Sequence, residues 1–238
     1  CVIFVPEKAP VAKLTQLLIF GARVIAVRGT YDDAFDLCMQ VCERHGWFNR
    51  NTGFNPFTRE GKKTCSFEIW EQLHGELPDW VVVPVGDGNI ISGIWKGFRE
   101  LRETGLAAKT PRILCAQSEC SSAITQTIRK IGSRAVNDWS RITVENVRAT
   151  TIADSISVDI PRDGLAAVRA VLESGGAAVT VPDAAILDAL SELARQAGVF
   201  SEPAAATAWA CAKQAAASGL IKKEERVVCL LTGNGLKD

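Results

Sequence analysis

Short apolar runs alternate along the chain with longer segments in which apolar residues recur every three to four positions. The runs lie at 1–5 (CVIFV), 22–27 (ARVIAV), 79–85 (DWVVVPV), 112–116 (RILCA), 177–181 (AAVTV) and 226–231 (RVVCLL). Helical periodicity falls at 10–20, 31–44, 60–74, 90–105, 120–131, 163–174, 183–197 and 203–218. Compact runs without polar alternation suit strands covered on both faces, and a helical segment between strands supplies the crossover that parallel pairing needs. The pattern predicts an α/β chain with mostly parallel sheets. Thr30, ahead of "YDDAF", is a suitable N-cap with acidic residues in the first helical turn. Two stretches lack either period. Residues 45–58 (HGWFNRNTGFNPFT) read as an ordered loop and a boundary between units, and 132–162 as an irregular stretch holding a substrate-facing loop.

Composition narrows the range of partners. With 238 residues and 47% hydrophobic content, the chain has ample material for a core. Lys and Arg number 27, as do Asp and Glu, so no net field draws the chain to nucleic acid or an acidic membrane surface. A small molecule is the expected partner. No apolar run approaches the roughly 20 residues of a membrane span, and no signal-peptide pattern is visible, so a cytoplasmic location is expected. Eight scattered cysteines without a CxxC pair, and only two histidines, predict buried thiols with neither a disulfide framework nor a metal site. The chain opens on "CVIFVP", without Met and directly in a strand-like run; the expectation is that an upstream part is missing.

The run 79–85 leads into "GDGNIISGIWKGF". Gly86 and Gly88 permit backbone angles other residues resist, and a helix with the stripe Ile91, Ile94, Trp95 and Phe98 begins at Asn89. Strand, glycine turn and helix N-terminus leave backbone N–H groups aimed at one spot where the dipole favours an anion, and a phosphate fits. The spacing is neither GxxxxGK[ST] nor a complete GxGxxG, which argues against a nucleoside triphosphate or a dinucleotide. A tight turn alone would use glycine for the same reason.

"VPVGDGNIISGIWKGF", taken with "NPFTREGKKTCSFEIWEQL", "GVFSEPAAATAWA" and "LLTGNGLKD", resembles the threonine synthase branch of the fold-type II, tryptophan synthase β-like, pyridoxal-phosphate enzymes, along nearly the whole chain. The resemblance implies two three-layer α/β/α units, N-terminally truncated here, with 1–44 the remaining part of the small domain and 45–238 most of the large cofactor-binding domain. It implies that Gly86, Asp87, Gly88, Asn89 and Ile90 wrap the phosphate of pyridoxal 5'-phosphate through their amides. Asp87 would turn its carboxylate back to cap the loop or helix. Thr232 would hydrogen-bond the pyridine nitrogen, where a hydroxyl tunes the ring differently from a carboxylate. Glu202 lies in the stretch that lines the cofactor pocket, although an acidic residue before Pro203 is also an ordinary helix start.

Family members commonly carry an arginine three residues after the Asn of "NPFT"; here Asn55 is followed at that place by Thr58, with Arg59 next. Asn55, Thr58, Arg59 and Arg162 are the candidate substrate-binding residues; Arg59, Lys62, Lys63 or Arg162 could supply cations for a second phosphate, with solvated charge at a helix start the favoured reading of Lys62 and Lys63. The catalytic Schiff-base lysine of the family, and its Ser-Gly-Asn-Thr turn, would precede Cys1; Lys8 and Lys13 lack that context. The chain alone is therefore expected to be inactive.

For the intact protein the resemblance implies a homodimeric lyase of threonine biosynthesis that converts O-phosphohomoserine and water to threonine and phosphate. Two alternatives stay open. One is a serine or threonine ammonia-lyase or β-replacement enzyme, which the Thr58 departure favours; the other is a non-catalytic homologue serving as a binding module.

Overall fold

Each of the six apolar runs becomes a strand, in two separate parallel sheets, in a computed structural model that describes residues 1–132 and 136–237. The first sheet pairs β1 (Val2–Pro6) with β2 (Arg23–Val27), Val2 opposite Arg23. Helix α1 (Val11–Ile19) connects them and α2 (Tyr31–His45) follows. Thr30 caps α2 as expected: its hydroxyl accepts from the Asp33 amide, the Asp33 carboxylate accepts from the Thr30 amide, and left-handed Gly46 ends the helix.

The second sheet contains β3 (Trp80–Pro84), β4 (Arg112–Ser118), β5 (Ala177–Val181) and β6 (Val227–Cys229), in the order β5-β4-β3-β6 and parallel throughout. Helices α3 (Phe57–Lys62) and α4 (Thr64–Gln72) precede β3, and between the strands run α5 (Asn89–Glu103), α6 (Ala123–Ile131), α7 (Gly164–Glu173), α8 (Asp183–Glu192) and α9 (Pro203–Ala217). The sheet is the middle of three layers. Val81, Val83, Ile113 and Cys115 pack with Ile91, Ile94, Phe98, Ile124 and Val168 on one face, and Val82, Leu114 and Ala116 pack with the alanines of α9 and Ile186 of α8 on the other. Burying a Val, Ile or Phe side chain of this kind contributes about 1.5–3 kcal/mol. All five residues of β3 are buried, as a central strand requires.

Three features depart from the periodicity. The segment 60–74 is two helices rather than one, because the Thr64 hydroxyl donates to the Gly61 carbonyl at 2.8 Å and competes with the helical ladder. The segment 183–197 ends in a π-turn at Leu193–Ala197, closed by left-handed Gly198. Only Cys42, Cys115 and Cys211 of the eight free cysteines are buried, while Cys1 and Cys120, which lie outside the strands and helices, are exposed. Within 132–162 the described residues form no strand, and 133–135 lie outside the described residues. Among the described residues no helix is long and apolar enough to cross a membrane.

Candidate active site at the carboxyl ends of β3 and β6

The order β5-β4-β3-β6 reverses direction at β3, since β4 and β5 lie to one side of it and β6 to the other. Crossovers leave such a point on opposite faces and open a crevice beyond the strand ends. A cavity of about 260 Å³ occupies that place, and its wall includes Gly86 to Ile91 after β3, Thr232 after β6, and Thr52, Lys62, Ser155 and Glu202.

At Gly88 the chain takes φ 94° and starts α5 with no side-chain cap. The first helical bond runs from the Ser92 amide to the Gly88 carbonyl at 3.2 Å. The amides of Asn89, Ile90 and Ile91 therefore stand on the cavity wall without a helical acceptor. Asp87 does not cap this turn. Its carboxylate reaches away to accept from the Tyr31 hydroxyl at 2.8 Å and from the Arg162 amide at 3.1 Å. Burial pushes the Asp87 carboxyl above its ordinary range. Burial, and then the Asp87 charge, push the Tyr31 hydroxyl far up, so it remains a donor.

Lys62 and Lys63 part company. Lys63 joins Glu60 and Glu100 on the surface. Lys62, against the expectation of a solvated charge, is half-buried on the cavity wall and donates to Asn89 Oδ1 at 2.6 Å. The cause is a close crossing: a Cβ on Gly93 would lie 2.8 Å from the Lys62 Cβ, so a glycine in α5 lets α3 lay this side chain along the helix toward its start. Burial and then the nearby Arg50 charge hold its pKa below the ordinary value.

The four residues proposed for substrate binding are already engaged. Asn55 is buried, donating to the Asn49 carbonyl at 2.8 Å and accepting from the Phe57 amide at 2.9 Å. The buried Thr58 donates its hydroxyl to the Asn55 carbonyl at 2.7 Å. Arg59 is ion-paired with buried Asp163, which also accepts from Asn89 Nδ2 and the Ser92 hydroxyl. Arg162 pairs with Asp32 and Asp36 and stacks on Phe35.

Glu202 precedes Pro203 but makes no side-chain cap. The carboxylate, 1% exposed, accepts from the Ser155 hydroxyl at 3.1 Å, and the Glu202 amide donates to the Gly233 carbonyl at 3.0 Å. Gly233 packs directly against this carboxylate, which a side chain there would overlap. Sequence reading did not pick out Thr52 or Ser155; their only signal is membership of the two irregular stretches.

The family model for pyridoxal-phosphate dependent enzymes matches residues 1–233. The chain is 39% identical to the threonine synthase of Methanocaldococcus jannaschii, spanning all of this chain and 57% of that protein. It is 38% identical to the threonine synthase of Methanosarcina acetivorans, spanning 97% of this chain and 55% of that one. It thus covers little more than half the length of these curated relatives. Among solved structures, maize serine racemase superposes with a TM-score of 0.78 at 21% identity, over 100% of this chain and 66% of that one, which is a likeness of fold.

Proposed function

Because the chain belongs to the family of pyridoxal-phosphate dependent enzymes and has the fold-type II architecture, we propose that the complete protein converts O-phosphohomoserine and water to threonine and phosphate. The observation that carries this reading is identity of 33–39% to threonine synthases over the whole of this chain. We assign residues 1–44 to the smaller lobe and 45–238 to the larger one.

The residues at the switch point fit the cofactor. Free amides at the N-terminus of a 15-residue helix suit its phosphate, so Gly86, Asp87, Gly88, Asn89 and Ile90 would hold that group through the backbone. Thr232, on the same cavity wall beyond the neighbouring strand, would donate to or accept from the ring nitrogen. When bound, pyridoxal phosphate supplies an electron sink that makes protons on carbons near the substrate amino group removable. The chain's own groups do the positioning. Asp87 keeps its carboxylate off the cradle by bonding Tyr31 and Arg162, and Glu202 and Ser155 present a fixed polar edge near Thr232.

The lysines near the cavity are tied, Lys62 to Asn89 and Lys13 to Asp154 and Ser155. Neither serves as the covalent anchor in this reading.

The test is an assay of the complete, cofactor-loaded protein for phosphate release and threonine formation from O-phosphohomoserine, beside ammonia release from serine and threonine. Threonine formation is the expected outcome, and borohydride reduction followed by digestion should label a lysine outside residues 1–238. Ammonia release alone would establish the ammonia-lyase alternative, which the threonine at 58 in place of an arginine favours. No turnover with cofactor bound would leave the binding-module reading.

A further inference from the structure

We propose that Arg50 and Lys62 together seat the phosphate of the substrate, in a second cavity beside the cradle; this rests on the phosphorylated-substrate reading above. That cavity, about 470 Å³, is lined by Phe48, Arg50, Asn55, Phe57, Thr58, Gly61 and Lys62. Lys62 also stands on the wall of the cradle cavity, so one side chain borders both. A ligand lying across the two would place one end at the cofactor and the other at this wall.

Charge balance singles out the pair. The neighbouring cations are neutralised: Arg59 by Asp163, Lys63 by Glu60 and Glu100, and Arg162 by Asp32 and Asp36. Among the described residues neither Arg50 nor Lys62 has a carboxylate partner within ion-pair distance. They are close enough for the Arg50 charge to depress the Lys62 pKa, so the two repel across a wall that is otherwise Phe48, Phe57 and engaged polar groups. A phosphate dianion brings two negative charges to this pair; a hydroxy amino acid lacking phosphate brings none to the same end. Lys62 retains two N–H groups after its bond to Asn89, and Arg50 offers a guanidinium fork. Thr58 and Lys62 stand one turn apart on the same face of α3. The short side chain at 58 is turned onto the Asn55 carbonyl and lines this cavity together with Lys62.

The experiment uses the complete protein saturated with pyridoxal phosphate, with Arg50→Gln, Lys62→Gln and the double variant. Glutamine at 62 removes the charge and retains an N–H donor on a side chain one atom shorter. The KM for O-phosphohomoserine should rise about 10–100-fold in each single variant with a smaller change in kcat, the effect of removing one charge-assisted bond made before and during the reaction. Lys62→Arg should recover most of the loss. Inorganic phosphate should compete with the substrate in the wild type and lose potency by the same factor in the variants, a readout independent of turnover.

An unaltered KM and unaltered phosphate inhibition in a folded double variant would overturn the proposal. So would a fall in cofactor affinity on Lys62→Gln with KM unchanged at saturating cofactor, which would put Lys62 on the cofactor's phosphate instead. Failure of the wild type itself to use O-phosphohomoserine, with ammonia released from serine or threonine, defeats the functional reading and this inference together. Wild-type turnover with unaffected variants defeats only this one.

Discussion

At residue 88 the backbone sits at φ 94°, and an added Cβ would lie 2.8 Å from both the Ala167 Cβ and the Asp163 carbonyl oxygen. Gly88→Ala must therefore pay for a left-handed conformation and for displacing α7. Each costs about 1–3 kcal/mol, and together they should lower the melting temperature by several degrees or more for a chain of this size. Because the shift moves the amides of Asn89 and Ile90, cofactor affinity measured by absorbance titration should fall at least about tenfold, which is 1.4 kcal/mol. An alanine variant with unchanged melting temperature and cofactor affinity would contradict this account. The glycine turn was legible in sequence because only the backbone matters there. The fates of Lys62 and Lys63 were not, because neighbouring letters diverge according to how α3 crosses α5 at Gly93. Arg59 and Arg162 were opaque for a related reason. Their partners, Asp163 and Asp32, lie 104 and 130 positions away.

At the scale of elements, α2 is fastened to the cradle loop by Tyr31 on Asp87, and to the segment before α7 by Asp32 and Asp36 on Arg162. This join titrates. Asp87 holds its proton more tightly in the fold than its ordinary value of 3.8, because burial disfavours its charge. The stability it contributes is full below that ordinary value and is lost as pH rises through the raised folded value. Asp87→Asn is uncharged throughout. Its urea midpoint should consequently change less than that of the wild type as pH rises from about 4, with the slope owed to Asp32, also raised by burial, left in place. A variant with the full wild-type slope would show that Asp87 does not report on this join. The elements themselves were almost all readable, since runs buried on both faces and an explicit Thr30–Asp33 capping box are local signals. The break between α3 and α4 was hidden, because it depends on one hydroxyl choosing a carbonyl over solvent.

Across the whole molecule, the parallel sheet and its three layers followed from alternation of strand and helix, whereas the cavity did not. Its walls come from residues as far apart as Thr52 and Thr232, and the strand order that unites them is a property of the assembled sheet. The irregular stretch 132–162 illustrates the limit. It supplies Ser155 to the wall through a chain of side-chain bonds that no periodicity encodes.

The order β5-β4-β3-β6 has one more consequence. Among the described residues strand β6 is three residues long and pairs with β3 alone. Such an edge should open before the rest of the sheet. A cofactor held as proposed, by Gly86 to Ile90 on one side and Thr232 on the other, would span this seam, so its binding energy would oppose the loosening of β6. In deuterium exchange, saturating pyridoxal phosphate should slow Val227–Cys229 more than Ala177–Val181 at the opposite edge, and equal slowing would mean that the ligand does not bridge the two strands. In the proposed binding mode the cofactor would act as a rivet as well as a reagent, its occupancy favouring the state in which β6 stays paired with β3.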